Sequence, residues 1–263
     1  MSSSRLFEVT PQLLSESNRL YVAGDIHGVY HVFRKIRDLF DVERDVLIFL
    51  GDYADRGAKG MEVIEGIRDL MDEYPNRVIP LKGNHEDYTS EGKPRFMPAS
   101  LPREARRKKG GWSPYFSDHL KPFLNRLYLS ALIPGETLFV HGGISSRISG
   151  LDDLRSPTPK LEQDILWSDP AEVRGERPNR RGVGVEFGEK VTEEVCQKLN
   201  VKRVVRSHQP RKARKAPLLD HGGKIITINS TTVYGGMPFI LDLPTENLSP
   251  AFENLEEHTL TLK

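Results

Sequence analysis

Asp25 and His27 stand two residues apart at the end of the apolar stretch Leu20–Gly28, LYVAGDIHG. Extended backbone sends side chains i and i+2 to the same side. A carboxylate and an imidazole are therefore expected to leave a strand end together, with Gly24 and Gly28 giving the chain room to turn. The same grammar recurs downstream. Val46–Leu50 leads to Gly51, Asp52, Asp55, Arg56 and Gly57, and Val78–Leu81 leads to Gly83, Asn84, His85 and Glu86. Leu138–Val140 leads to His141, Gly142 and Gly143, and Val204–Val205 leads to Arg206, Ser207 and His208.

Collected, Asp25, His27, Asp52, Asn84, His141 and His208 form an oxygen and nitrogen donor set without thiolate. Such a set suits manganese, iron or zinc, and has more imidazole than magnesium or calcium recruits. Six donors are too many for one catalytic ion that must keep open positions. Two ions sharing the Asp52 carboxylate fit better, because Asp52 ends the strand next in sequence to Asp25 and His27. Ions about 3.5–4 Å apart can clamp both oxygens of an in-line displacement and lower the pKa of a bound water to roughly 7. An isolated histidine is usually structural. Here His27, His85, His141 and His208 fall at strand ends, the first three beside Gly or Asn, whereas His31, His119, His221 and His258 lie in helices, loops or the tail. That segregation favours a site over scattered packing residues.

The elements needed to hold these groups are legible. Val29–Phe40 and Met61–Met71 carry apolar residues at helical spacing, and Pro75 stops the second. They alternate with the apolar runs Val46–Leu50 and Val78–Leu81, as in a largely parallel sheet with ligands at the carboxyl ends of its strands. Thr10-Pro11 opens a brief helix. Asp87–Gly111 reads as a solvated loop or short helix near the site mouth, with a basic run at Arg103, Arg106, Arg107, Lys108 and Lys109. Residues 144–180 read as loop-rich, Glu189–Leu199 as helix and Val201–Val205 as strand. Ile225–Asn229 and Pro238–Leu243 flank Tyr234-Gly235-Gly236 like a hairpin.

The chain has 263 residues, enough for one domain, 1–263, with a core at about 20–243 and short extensions. Its 38 basic and 37 acidic residues nearly cancel, so no global field points to nucleic acid or membrane. The single Cys196 permits no intramolecular disulfide and reads as packing, and Met1–Phe7 has no long apolar leader segment. A cytoplasmic setting is expected.

Gly24–Gly28, Gly51–Gly57 and Gly83–Glu86 resemble the three signatures of the phosphoprotein phosphatase family of serine/threonine phosphatases, within the calcineurin-like metallophosphoesterases. Later blocks follow in the family's order: His141–Gly143, Trp167–Pro170, Arg181–Val183 with Phe187-Gly188, Arg206–Gln209 and Tyr234-Gly235. The resemblance implies an α/β metallophosphoesterase fold: two mainly mixed sheets in a central sandwich flanked by helices, with the metal site at strand ends. It further implies two divalent ions, manganese foremost, with iron, zinc and cobalt also suited. Asp25, His27 and Asp52 would hold the first ion; Asp52, Asn84, His141 and His208 the second. His85 paired with Asp55 would be the general acid, Arg56 and Arg181 would grip phosphoryl oxygens beside Asn84, and Tyr234 would reach the site.

The activity implied is hydrolysis of phosphoserine and phosphothreonine in proteins by an ion-bridged hydroxide. The alternative is hydrolysis of a small phosphoanhydride such as diadenosine tetraphosphate. Phosphoproteins are the expected partners. The loop Asn229–Val233 departs from the family's usual residues and Gly235 replaces its Cys, which looks more like an archaeal or bacterial member. Specificity is therefore not transferable. The basic run reads first as solvated surface, with steering of acidic substrates by Arg106, Arg107, Lys108 and Lys109 as the sharper alternative.

Overall fold

The computed structural model describes residues 4–262; Met1–Ser3, part of the stretch read for a leader, lie outside them. The spatial order of the larger sheet is Leu6–Glu8, Ser130–Ile133, Thr137–Val140, Arg203–Arg206, Ile225–Thr227 and Leu218–Asp220. The second runs Thr259–Thr261, Phe239–Pro244, Arg19–Ala23, Asp45–Phe49 and Val78–Pro80. Both mix parallel and antiparallel pairs; Arg19–Ala23, Asp45–Phe49 and Val78–Pro80 are parallel, as expected for that segment. A small third sheet joins Asp169-Pro170, Val185–Phe187 and Glu176–Pro178.

Side-chain alternation builds the layers. Leu20, Val22, Val46 and Ile48 from one sheet pack with Ala131, Phe139, Val205 and Ile226 from the other, filling the sandwich. The opposite faces carry Tyr21, Leu47 and Phe49 against the helices Tyr30–Leu39 and Gly60–Glu73. On the far side Leu132, Leu138 and Val204 meet Pro159–Trp167 and Glu189–Leu199. Each fully buried aliphatic or aromatic side chain contributes about 1.5–3 kcal/mol. Cys196 belongs to this last core, and burial pushes its thiol up to about 11, consistent with packing.

One expectation is corrected and two are sharpened. Residues 144–180 are not loop throughout, since Leu151–Arg155 and Pro159–Trp167 are helical. Thr158 caps the latter by accepting from Leu161 N at 3.2 Å, with Pro159 at its first turn. Ile225–Thr227 and Phe239–Pro244 form no hairpin: they sit in different sheets, and the segment carrying Tyr234 crosses between them. The basic run lies on the helix Leu101–Lys109, where Lys108 pairs with Glu62 and Glu104 and Lys109 with Glu65. Two of the four candidate steering charges are thereby compensated. Among the described residues no helix is long and apolar enough to cross a membrane.

Candidate dinuclear metal centre

Strand ends set the site, but not by simple alternation. Arg19–Ala23 stops before Asp25, and His27 has a left-handed backbone with φ 50°. Asp25 and His27 are therefore brought together by a turn, whose Ile26 N and His27 N donate to Asp52 O at 3.1 and 2.8 Å. Asp52, Asp55, Arg56 and His208 are also left-handed, with φ between 56° and 68°. Such non-glycine conformations cost about 1–3 kcal/mol each and persist where the surroundings over-determine them. Close contact between turns demands glycine. A Cβ on Gly57 would lie 2.2 Å from His27 O, and one on Gly83 2.3 Å from Asp52 Oδ1.

All six expected metal donors converge. His27 Nε2 lies 3.6 Å from both Asp25 Oδ2 and Asp52 Oδ2, and His141 Nε2 lies 3.4 Å from Asp52 Oδ1. His141 Nε2, His208 Nδ1 and Asn84 Oδ1 stand 2.8–3.2 Å apart. Asp52 belongs to both donor triplets, one with His27 and His85 and one with His141 and His208, each with atoms within 4.8 Å of one another. All of these side chains are buried.

The imidazole charge states match cation binding. Burial pushes His27 down to about 3 and His141 down to about 4, and holds His208 well below its ordinary range. These imidazoles are neutral, as ligands must be. His27 Nδ1 faces Ala54 O at 3.0 Å and His141 Nδ1 faces Leu50 O at 2.8 Å. Both carbonyls require an N–H, which assigns the proton to Nδ1 and aims the Nε2 lone pair inward. His208 is reversed, with Nδ1 inward and a buried Nε2 that has no partner among the described residues. The His141 Nε2 lone pair, His208 Nδ1 and Asn84 Oδ1 thus meet within 3.2 Å, and without an ion a proton on His208 Nδ1 would be donated to Asn84 Oδ1. With its proton on Nε2, His208 would join His141 Nε2 and Asn84 Oδ1 in offering two lone pairs and a carbonyl oxygen to a cation. Burial, with Asp25 and Glu86 nearby, pushes Asp52 well above the carboxylate range. For Asp25 burial is outweighed by attraction to His141 and His27 in their protonated forms and by hydrogen bonds from Ser207 and His208 N, and its pKa is lowered.

His85 Nδ1 lies 2.9 Å from Asp55 Oδ2, and the ring packs against Phe96 at 4.5 Å between centroids. Arg56 and Arg181 line one cleft with His208 and Tyr234. The Arg56 guanidinium sits 5.2 Å from the centre of the Tyr234 ring, which is edge-on to His27 at 5.8 Å. Arg181 Nε donates to Asp169 Oδ2 at 3.0 Å. His31 and His119 are exposed; His221 bonds Thr192 Oγ1 and His258 faces Asp242 O, all away from the centre.

Several supporting residues escaped the sequence reading. Glu86, quoted in its motif without a role, accepts from Asp52 N, Tyr53 N and Gly83 N at 2.8–3.0 Å, and burial pushes it up to about 7. Ser207 Oγ accepts from Asp25 N at 2.8 Å and donates to Asp25 Oδ1 at 2.6 Å. Asp169 holds the fully buried Arg206 at 2.9 Å as well as Arg181. They stood within quoted motifs, but most of their partners lie dozens of residues away.

Comparison with known proteins agrees with this geometry. Residues 18–212 match the family described as calcineurin-like phosphoesterase. The chain is 35% identical over 214 residues to serine/threonine-protein phosphatase C23G10.1 of Caenorhabditis elegans, covering 78% of this chain and 46% of that protein. It is 33% identical over 225 residues to PP1-delta of the same organism, covering 79% and 67%. It therefore spans about half to two thirds of these relatives' lengths. A solved serine/threonine phosphatase of Saccharomyces cerevisiae with similarity to human phosphatase PP5 superposes with a TM-score of 0.78, covering 99% of this chain and 83% of that one at 22% identity. The chain belongs to the calcineurin-like phosphoesterases, in their phosphoprotein phosphatase branch.

Proposed function

We propose that this protein hydrolyses phosphoserine and phosphothreonine in proteins. The single observation that carries the reading is the His85–Asp55 pair at 2.9 Å beside the donor cluster. A serine or threonine alkoxide is a poor leaving group at neutral pH and needs a proton. His85 would donate it from Nε2, while Nδ1–H stays with Asp55, which orients the ring and stabilises the imidazolium. Arg56 and Arg181 would hold the phosphoryl oxygens, since the guanidinium fork matches them and offsets charge that builds in the transition state. Asn84 and Tyr234 would complete the phosphoryl position.

Asp25, His27 and Asp52 would hold one divalent ion, and Asp52, Asn84, His141 and His208 a second. Such ions supply Lewis acidity and a water of lowered pKa. Manganese fits the donor set, with iron, zinc or cobalt as substitutes. The cytoplasm, where phosphoproteins are made, is the setting this reading implies.

The deciding experiment compares kcat/KM for a phosphoserine peptide and for diadenosine tetraphosphate after reconstitution of stripped protein with each ion. The peptide is expected to be preferred. A more than tenfold preference for the dinucleotide would reverse the assignment.

A further inference from the structure

A cleft of about 320 Å³ beside His208 is lined by Arg56, Arg181, Arg211, Lys212 and Tyr234, and no carboxylate lines it. Arg181 is compensated by Asp169 at 3.0 Å. Arg56, Arg211 and Lys212 form no salt bridge among the described residues; the Arg211 guanidinium instead lies 5.1 Å from the centre of the Tyr234 ring that also carries Arg56.

These cations are presented by a fixed loop. Ala213 is fully buried in the core between the two sheets, while Arg211 and Lys212 on its N-terminal side are exposed. Lys212 N and Ala213 N donate to Gln209 O at 2.9 and 3.3 Å, and Met237 N donates to Arg214 O at 2.7 Å. The backbone that carries these like charges is therefore held in place beside the cleft. One phosphoryl group is already matched by the Arg56 and Arg181 forks. Arg211 and Lys212 are in excess of that need.

We propose that Arg211 and Lys212 form a second anion subsite, which receives an acidic side chain flanking the phosphorylated residue. The substrate class is then an acidic phosphoprotein segment, an inference that rests on the phosphatase reading above. Complementary charge of this kind chiefly selects partners and speeds encounter.

The test uses three phosphoserine peptides of equal length with Glu, Gln or Lys flanks, assayed on the metal-loaded full chain. The expected order of kcat/KM is Glu, Gln, Lys, with about a fivefold gap between the first two at low salt, the size of one or two exposed ion pairs. The gap is expected to narrow as salt is raised. Arg211→Glu combined with Lys212→Glu is expected to reverse the order. Equal kcat/KM for the Glu and Gln peptides, or an unchanged order in the double variant, overturns the subsite and leaves the phosphatase reading standing. Absence of turnover on all three peptides overturns the phosphatase reading, and the subsite falls with it.

Discussion

Asp55 divides its two oxygens between the catalytic candidate and the scaffold: Oδ2 faces His85 Nδ1 at 2.9 Å, and Oδ1 accepts from Leu101 N at 2.7 Å. The helix Leu101–Lys109 thereby fixes the carboxylate that fixes the imidazole. Burial raises the Asp55 pKa, but the His85 partnership and the amides of Leu101 and Ser100 outweigh it, so its pKa is lowered and it serves as an anion.

That pairing makes a leaving-group prediction. His85→Asn should keep metal content while lowering kcat on a phosphoserine peptide about 10²–10⁴-fold, the range of general acid catalysis. On p-nitrophenyl phosphate, whose leaving group needs no proton, the loss should be far smaller. Parallel steady-state kinetics with elemental analysis check it; equal losses on both substrates would remove the acid role.

Asp52→Asn should empty both ion positions yet not weaken the stripped protein. The folded-state pKa of Asp52 is raised, so its negative charge opposes folding at neutral pH and ceases to do so as pH falls and the native carboxyl takes up a proton. Stripped Asp52→Asn should melt above stripped wild type at pH 8, with the difference shrinking toward acid. For a chain of this size about 1 kcal/mol corresponds to roughly 2–4 °C. Scanning calorimetry across pH reads this directly.

Glu162 predicts the opposite sign. Burial would raise its carboxyl, but Lys82 Nζ at 2.8 Å and Arg5 Nη2 at 3.6 Å outweigh that and lower its pKa. A lowered folded-state value contributes stability above the unfolded pKa of roughly 4.3, lost as pH falls through the folded value. Glu162→Gln should lower the melting temperature at pH 7 and become indistinguishable from wild type in strong acid. A constant difference across that range would refute the linkage.

Gly57→Ala should displace the turn that carries His27, because the new methyl meets His27 O. Overpacking of this kind costs about 1–3 kcal/mol. Reduced thermal stability with weakened metal retention is expected, and isothermal titration with manganese measures the second effect. Unaltered affinity would show that the turn does not hold the donor in place.

The parallel strands Asp45–Phe49 and Val78–Pro80 and their helices were legible because burial on both faces writes itself as unbroken apolar runs and 3.6-residue periodicity. Five of the six donors were legible because each sits beside a glycine that a tight turn needs, and His208 because it follows the apolar run Val204–Val205. Less was visible where long-range contact decides. Alternation failed at Asp25 and His27 because a left-handed His27, bonded to Asp52 O, overrides the pleat. The apparent hairpin failed because period-2 patterning does not say which sheet a strand joins. Glu86 and Ser207 were silent because their backbone partners belong to other motifs.

The crossing segment between Ile225–Thr227 and Phe239–Pro244 has a mechanical meaning. On its way Ser230 Oγ accepts from Gly24 N at 2.9 Å and donates to Phe239 O at 2.6 Å, stitching the strap to the turn before Asp25. Ser230 thereby ties the segment that carries Tyr234 to the sheet of Asp25, so slippage of one sheet over the other would shift Tyr234 relative to His141 and His208. The entrance aromatic is thus geared to the alignment of the whole sandwich, so a core substitution far from the centre that shifts the sheets would be felt as altered access.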